Sequence, residues 1–482
     1  MQRDLTITIM VFTLLILFPI IVSILVLTGC SNDSNHSNDK RFLYGNDSSF
    51  VEDVMDKDGE VMFSVENPSR TGSFDIVLPD AEDNNIEGCN TIYVRQSTSI
   101  TVTESHYSLV LVLAGPHVEL TVLGSAPECV LMVIGRGGSL RFSGGTSTFG
   151  NVKLHDVRLI PDESNGVAQL VSSDYMVLNE VNISTDIGLR ARRKIYITKA
   201  KFAGNVTCHC DSLNIGRSTF SKSLQHASGG THHDLYCTTI HGDLVLLGDT
   251  IDTLDMDRVV VKGKSRMSIP TNGTNQEEKH ATLTYCTFGE STIMVVPSSQ
   301  STCTTMISKC KFYDELVVGM ITSIISNFVM SESGVAGVFN TNVAGILNSS
   351  ISNSRFNSKL ILGANRTDTL SLFMNTFKAN VSLRSDTIKR LQMNQNFFDD
   401  GLECVGVVTY DSMVSKNIIG SGNMEFNISK TMMNCTISHN TISQGVLVTT
   451  SLSDTNIIDA NITMSAPDDD DDDDEVGSQI IV

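Results

Sequence analysis

The chain has 482 residues, of which 41% are hydrophobic and 18% charged; it has no Trp, and its net charge is −20. This balance, with its many Ser, Thr and Asn residues, is that of a globular β-rich protein and excludes a coiled coil or a disordered chain. The acidic excess argues against a nucleic-acid partner, because phosphates require a basic footprint, and the one dense basic run is Arg-Ala-Arg-Arg-Lys at 190–194.

The first predicted element is the uncharged apolar run from Leu5 to Thr28. As a helix rising about 1.5 Å per residue it reaches roughly 35 Å, enough to cross a hydrocarbon core of ~30 Å, and Pro19 is tolerated there as a kink. Three readings fit this run: an uncleaved signal anchor, a cleaved signal peptide, and a lipoprotein signal in which Leu-Thr-Gly-Cys at 27–30 resembles a lipobox. The run is longer than a signal-peptide core of about 7–15 residues, and the head pairs Arg3 with Asp4 instead of being plainly basic, so the anchor is expected. The predicted layout is a cytoplasmic head (1–4), an anchor (5–28), a polar stalk (29–41), an N-terminal cap region (42–94), a repeat body (95–463) and an acidic disordered tail (464–482). The tail carries Asp468 to Asp474, a run of like charge that does not fold alone.

Asn-x-Ser/Thr sequons occur at Asn32, Asn35, Asn46, Asn182, Asn205, Asn272, Asn348, Asn365, Asn380, Asn427, Asn434 and Asn461. They predict a glycosylated extracellular or lumenal body, and hence a single-pass type II topology. Eleven cysteines include Cys30 at the membrane edge; the other ten permit disulfides in an oxidising compartment, with the pairing open.

The body carries a repeat, apolar-x-apolar-x-x-B-x-apolar, with B often small or polar. In the C-terminal half B falls at Ser354, Asn375, Asn396, Asn417, Asn440 and Asn461, at intervals of 21, 21, 21, 23 and 21 residues. Upstream the frame fits Val157, Val181, Ala200, Ser218, Thr238, Asp257, Cys286 and Cys310; the 44 residues from Cys310 to Ser354 hold two periods, the middle one illegible. Alternation marks strands, and about 20 residues leave too little room for a helical crossover between them. An antiparallel sandwich would not keep one residue type at one phase. A parallel β-helix does: each period is one coil, and equivalent side chains stack at about 4.8 Å, so the asparagines form a ladder. Phe202, Phe220, Phe288, Phe312, Phe356, Phe377 and Phe398, two residues past B, are expected as an interior aromatic stack. On these features the chain resembles the right-handed parallel β-helix superfamily of pectin-lyase-like proteins over roughly 95–463. The resemblance implies an all-β solenoid and transfers no activity.

Candidate sites are sparse. Enzymes of this fold place acidic or basic residues on one face, and adjacent Asp399 and Asp400 are the candidates for a carboxylate pair or a cation site, the other reading being a polar turn. No carboxylate or His lies in matching phase one coil from them. Cys208, Cys210, His232 and His233 fall about one coil apart and are the candidates for zinc, against disulfide or turn chemistry. Arg190, Arg192, Arg193 and Lys194 fit a convertase cleavage motif, a patch for sulfated glycans, or a solvated turn. Asn461 is both ladder member and sequon, and a stacked interior amide cannot carry a glycan.

These readings predict no cofactor, and a membrane-anchored surface glycoprotein with a structural or attachment role, meeting host-cell glycans or other envelope proteins and open to homo-oligomerisation. The short head running into an apolar anchor resembles, in layout, the envelope proteins of large DNA viruses such as nimaviruses. The alternative is an anchored or secreted polysaccharide lyase or glycoside hydrolase.

Overall fold

The computed structural model describes residues 63–64 and 75–77, most of 90–463, and 480–481, all within one compact unit, Met62–Val482. The head, anchor, stalk and poly-Asp run lie outside the described residues. The unit is an all-β parallel solenoid of more than a dozen turns.

A single coil shows how the sequence builds it. Ile187–Ala191, Lys194–Thr198 and Lys201–Phe202 form its first, second and third faces. Each pairs in parallel with the next coil, Ile187 opposite Val206, Ile195 opposite Leu213 and Phe202 opposite Phe220. Because side chains alternate along a strand, Ile187, Leu189, Ile195, Ile197 and Phe202 point inward and are buried, while Arg190, Lys194 and Lys201 point out. From residue 339 onward the first two faces merge into strands that run around their shared corner, such as Phe339–Ser352, Leu360–Phe373 and Val381–Asn394.

The doubled spacer in the repeat is the corner between the second and third faces. There one residue adopts left-handed backbone, for example Lys199 (φ 51°), Arg217 (51°), Lys309 (55°), Met374 (54°) and Gln395 (55°), which turns the chain and returns the next side chain to the interior. That next residue is position B. Its backbone N–H lies at the bend, where its donor is met by the B side chain of the following coil: Ser218 Oγ accepts from Ala200 N–H (3.1 Å), Ser333 Oγ from Cys310 N–H (3.1 Å) and Asn375 Oδ1 from Ser354 N–H (3.0 Å). The asparagine ladder then runs unbroken through Asn375, Asn396, Asn417, Asn440 and Asn461, with amide-to-amide bonds of 2.9–3.1 Å. Cys286 and Cys310 occupy the same column as free thiols, each donating to a backbone carbonyl of the preceding coil, Met256 O at 3.4 Å and Leu283 O at 3.3 Å.

The phenylalanine stack forms as expected. Ring centroids lie 4.7 Å apart for Phe202–Phe220, 5.0 Å for Phe288–Phe312 and 4.9 Å for Phe377–Phe398, with the ring planes nearly parallel. Each fully buried ring contributes roughly 2–3 kcal/mol of transfer free energy, and the interior is continuous from Ile92 to Leu447.

Four positions differ from the sequence reading. Val259, not Asp257, sits in the B column, because the left-handed residue is Arg258; Asp257 ends the strand Thr253–Asp257. The illegible copy is Ser333, preceded by left-handed Glu332 and followed by the short strand Gly334–Val335. The solenoid begins before residue 95: Asn90–Val94 pairs with Leu109–Leu113, Asp75–Val77 with Ser99–Thr101, and Phe63–Ser64 with Ile92–Tyr93. Within 464–482, Ile480–Ile481 adds a strand beside Leu447–Val448, so the region read as a tail ends in solenoid backbone. A second corner column was also missed. Between the first and second faces Asn327, Asn348, Thr369, Arg390, Asp411 and Asn434 are left-handed, and Ser412 Oγ and Asn456 Oδ1 accept the N–H groups of Leu391 (3.2 Å) and Cys435 (3.0 Å).

Candidate functional site

The basic run 190–194 folds as strand, corner, strand. Arg190 projects outward from the first face, opposite Val171 on one side and His209 on the other. Arg193 N–H donates to Asp174 O at 2.8 Å, its Nε pairs with Asp174 Oδ1 at 3.1 Å, and its carbonyl accepts from Ser212 N–H at 2.8 Å. The Arg-x-Arg-Arg motif is therefore tied into both neighbouring coils and is not an extended loop. Beside it lies an open groove of about 810 Å³, whose lining includes Gln169, Ser173, Gly188, Arg190, Arg192 and Thr207. Gly188 stands in register between Gln169 and Thr207 and, lacking a side chain, recesses the floor between them.

The zinc candidates divide. Cys208, Cys210 and His233 are buried in the core, whereas His232 points out and is exposed, as successive strand residues must. Among the described residues no group of three or more His, Cys, Asp or Glu is arranged to hold a metal ion. His233 instead meets His226, which the sequence reading passed over. His226 Nε2 donates to Cys210 O at 2.9 Å, so its Nδ1 is the acceptor for His233 Nε2–H at 3.0 Å, and His233 Nδ1 is left buried without a partner. Burial lowers the pKa of both imidazoles, His233 to about 3, with the neighbouring His226 adding to the effect. Burial likewise pushes the Cys210 thiol up to about 12.

Asp399 and Asp400 lie in the turn after the third face. Asp399 takes an ion pair from Lys378, one coil below, at 2.9 Å, and its carbonyl accepts from Ser421. Asp400 is exposed. A different carboxylate arrangement exists on the second face: Asn214, Asp234 and Asp255 are in register on successive coils, Asn214 Nδ2 donates to Asp234 at 3.1 Å, and His280 Nε2 faces Asp255 at 3.4 Å. The 21-residue spacing of Asp234 and Asp255 is its signal in the sequence.

Of the sequons, Asn182, Asn205, Asn348, Asn365 and Asn434 are exposed, Asn380 and Asn427 are half-buried, and Asn272 lies outside the described residues. Asn461 is buried: its Oδ1 accepts from Asn440 and its Nδ2 donates to Ile437 O at 3.0 Å.

No family model matches the chain, and neither a curated protein nor a solved structure matches it. The structure is that of a parallel β-solenoid with an asparagine-laddered corner.

Proposed function

We propose that the chain is a single-pass type II surface glycoprotein, anchored through residues 5–28, whose right-handed, pectin-lyase-like β-helical ectodomain has a structural or attachment role in an envelope of the large-DNA-virus kind. The observation that carries this reading is the partition of the sequons. Five stand at exposed positions on the rod, while Asn461, which the fold uses, is closed to modification. A rod whose coils are bonded to one another along every face is stiff, and stiffness suits a spacer or coat element meeting other envelope proteins or a second copy of itself.

The test is expression of the full chain in animal cells, with alkaline-carbonate extraction of membranes and removal of N-glycans. Retention in the membrane pellet together with a mobility shift supports the reading; release, or no shift, overturns it. One observation favours the alternative of a polysaccharide lyase or glycoside hydrolase, namely the Asp234–Asp255 pair with His280. That reading predicts chain cleavage of an acidic polysaccharide that is lost in Asp255→Asn.

A further inference from the structure

We propose that the coils spanning residues 187–222 form a binding site for a sulfated polysaccharide, with Arg190 and Arg192 as its principal anion contacts; the proposal rests on the attachment reading above and names its ligand.

The first observation is charge. Residues 187–222 contain eight Lys or Arg and a single acidic residue, Asp211, in a chain whose net charge is −20. Most of the acidic excess lies in 1–89 and 468–475, and the rest of 90–463 carries 21 Lys or Arg against 30 Asp or Glu. A positive band on such a surface is a local attractor for polyanions, since fields beyond about 10 Å are screened at ordinary ionic strength.

The second is placement. The coil geometry carries these cations around the rod: Arg190 on the first face, Arg192 at the first corner, Lys194 opening the second face, Lys199 and Arg217 at the second corner, and Lys201 on the third face. Some are already engaged, Lys199 with Glu180 at 2.7 Å, Arg193 with Asp174 at 3.1 Å and Lys222 with Asp186 at 3.8 Å. Arg190, Arg192, Lys201 and Arg217 have no acidic partner among the described residues, so their donors are available to a ligand.

The third is shape and chemistry. Of these, Arg190 and Arg192 border the open groove of about 810 Å³, which also presents the amide of Gln169, the hydroxyls of Ser173 and Thr207 and, as its one carboxylate, Asp211. Planar guanidinium forks match the oxygens of a sulfate, and amides and hydroxyls match sugar hydroxyls. The described lining contains no Phe, Tyr or Trp, the platforms on which a single-stranded nucleic acid would stack its bases.

The full chain in detergent micelles is titrated with heparin, with unsulfated heparosan as the carboxylate-only probe, and with a polynucleotide. Heparin is expected to bind in a salt-sensitive manner and heparosan at least about tenfold more weakly. Arg190→Ser with Arg192→Ser should weaken heparin binding about tenfold or more for the guanidinium pair. Both side chains are solvent-facing, so an unchanged thermal melt certifies the fold of the variant, and Arg217→Ser supplies a second variant at the second corner, outside the groove. No heparin binding, equal binding of the polynucleotide, or heparin binding indifferent to the Arg190/Arg192 change each overturns the site. Membrane retention and the glycan shift are scored on membranes of the same cells before they are solubilised. Their loss condemns the surface reading, while their persistence without heparin binding condemns this site alone.

Discussion

Asn396 Oδ1 accepts both the backbone N–H and the side-chain Nδ2–H of Asn375, at 3.0 and 3.1 Å, while Asn396 Nδ2 reaches back to Leu372 O at 2.8 Å. One amide thus satisfies a donor and an acceptor that the corner removes from the strand ladders. Asn396→Ala leaves these buried groups without partners and should cost about 2–4 kcal/mol, on roughly 1–3 kcal/mol for each orphan. Asn396→Ser should cost clearly less, because Ser218, Ser333 and Ser354 already fill the column. Urea unfolding followed through the C-terminal coils measures both, and equal destabilisation by Ala and Ser would refute the capping role.

The left-handed corner residues are a reservoir of improvable strain. Met374 holds φ 54° and is 47% exposed, so its side chain gains little packing in return for a conformation costing a non-glycine residue about 1 kcal/mol. Met374→Asn should raise stability by roughly 0.5–1 kcal/mol, since Asn tolerates this region best among residues with a Cβ. A melting temperature that falls in this variant would contradict the argument.

The buried His226–His233 pair makes stability pH-dependent. Both folded pKa values lie below the unfolded value near 6.5, so the unfolded chain binds more protons in the acid range. The pair's contribution is complete above about pH 6.5 and is lost as pH falls toward 3, at about 1.4 kcal/mol per pH unit for His233. Unfolding midpoints between pH 7.5 and 5 test it: His233→Gln should flatten the slope, and an unchanged slope would discard the assignment.

Mass spectrometry of the chain made in animal cells should find Asn461 unmodified while Asn182, Asn205, Asn348, Asn365 and Asn434 are available to the transferase. A glycan on Asn461 is incompatible with the burial of its amide in the corner column, whereas Asn205 and Asn434, though they too donate Nδ2–H to a carboxylate, stand exposed.

Much of the solenoid was legible because a column repeats one residue type at one phase. Phe377 and Phe398, or Asn375 and Asn396, are 21 residues apart, and any two such pairs fix the register of the strands between. Legibility failed where the marker did. Ser333 and Val259 fill the column without Asn or Phe, and Asp257 satisfied the alternation two residues early. Asn90–Val94 forms a rung with no Asn or Phe marker to announce it. The candidate site was half visible: the cations of 190–194 stand out in any acidic chain, but the groove depends on Gly188, Gln169 and Thr207 meeting across coils. The same is true of His226, whose partners Cys210 and His233 come from neighbouring coils.

The coil-to-coil register has one further consequence, for size. Every coil touches only the coils beside it and advances the axis by about 4.8 Å, so the rod can be lengthened or shortened in whole steps without rebuilding its cross-section. Removing one 21-residue period between Asn375 and Asn396 would join two equivalent corners and leave the basic band at 187–222 untouched. Reach along the axis is in this sense a separate inheritance from binding, graduated in coils and free to vary while the surface that meets a partner stays the same.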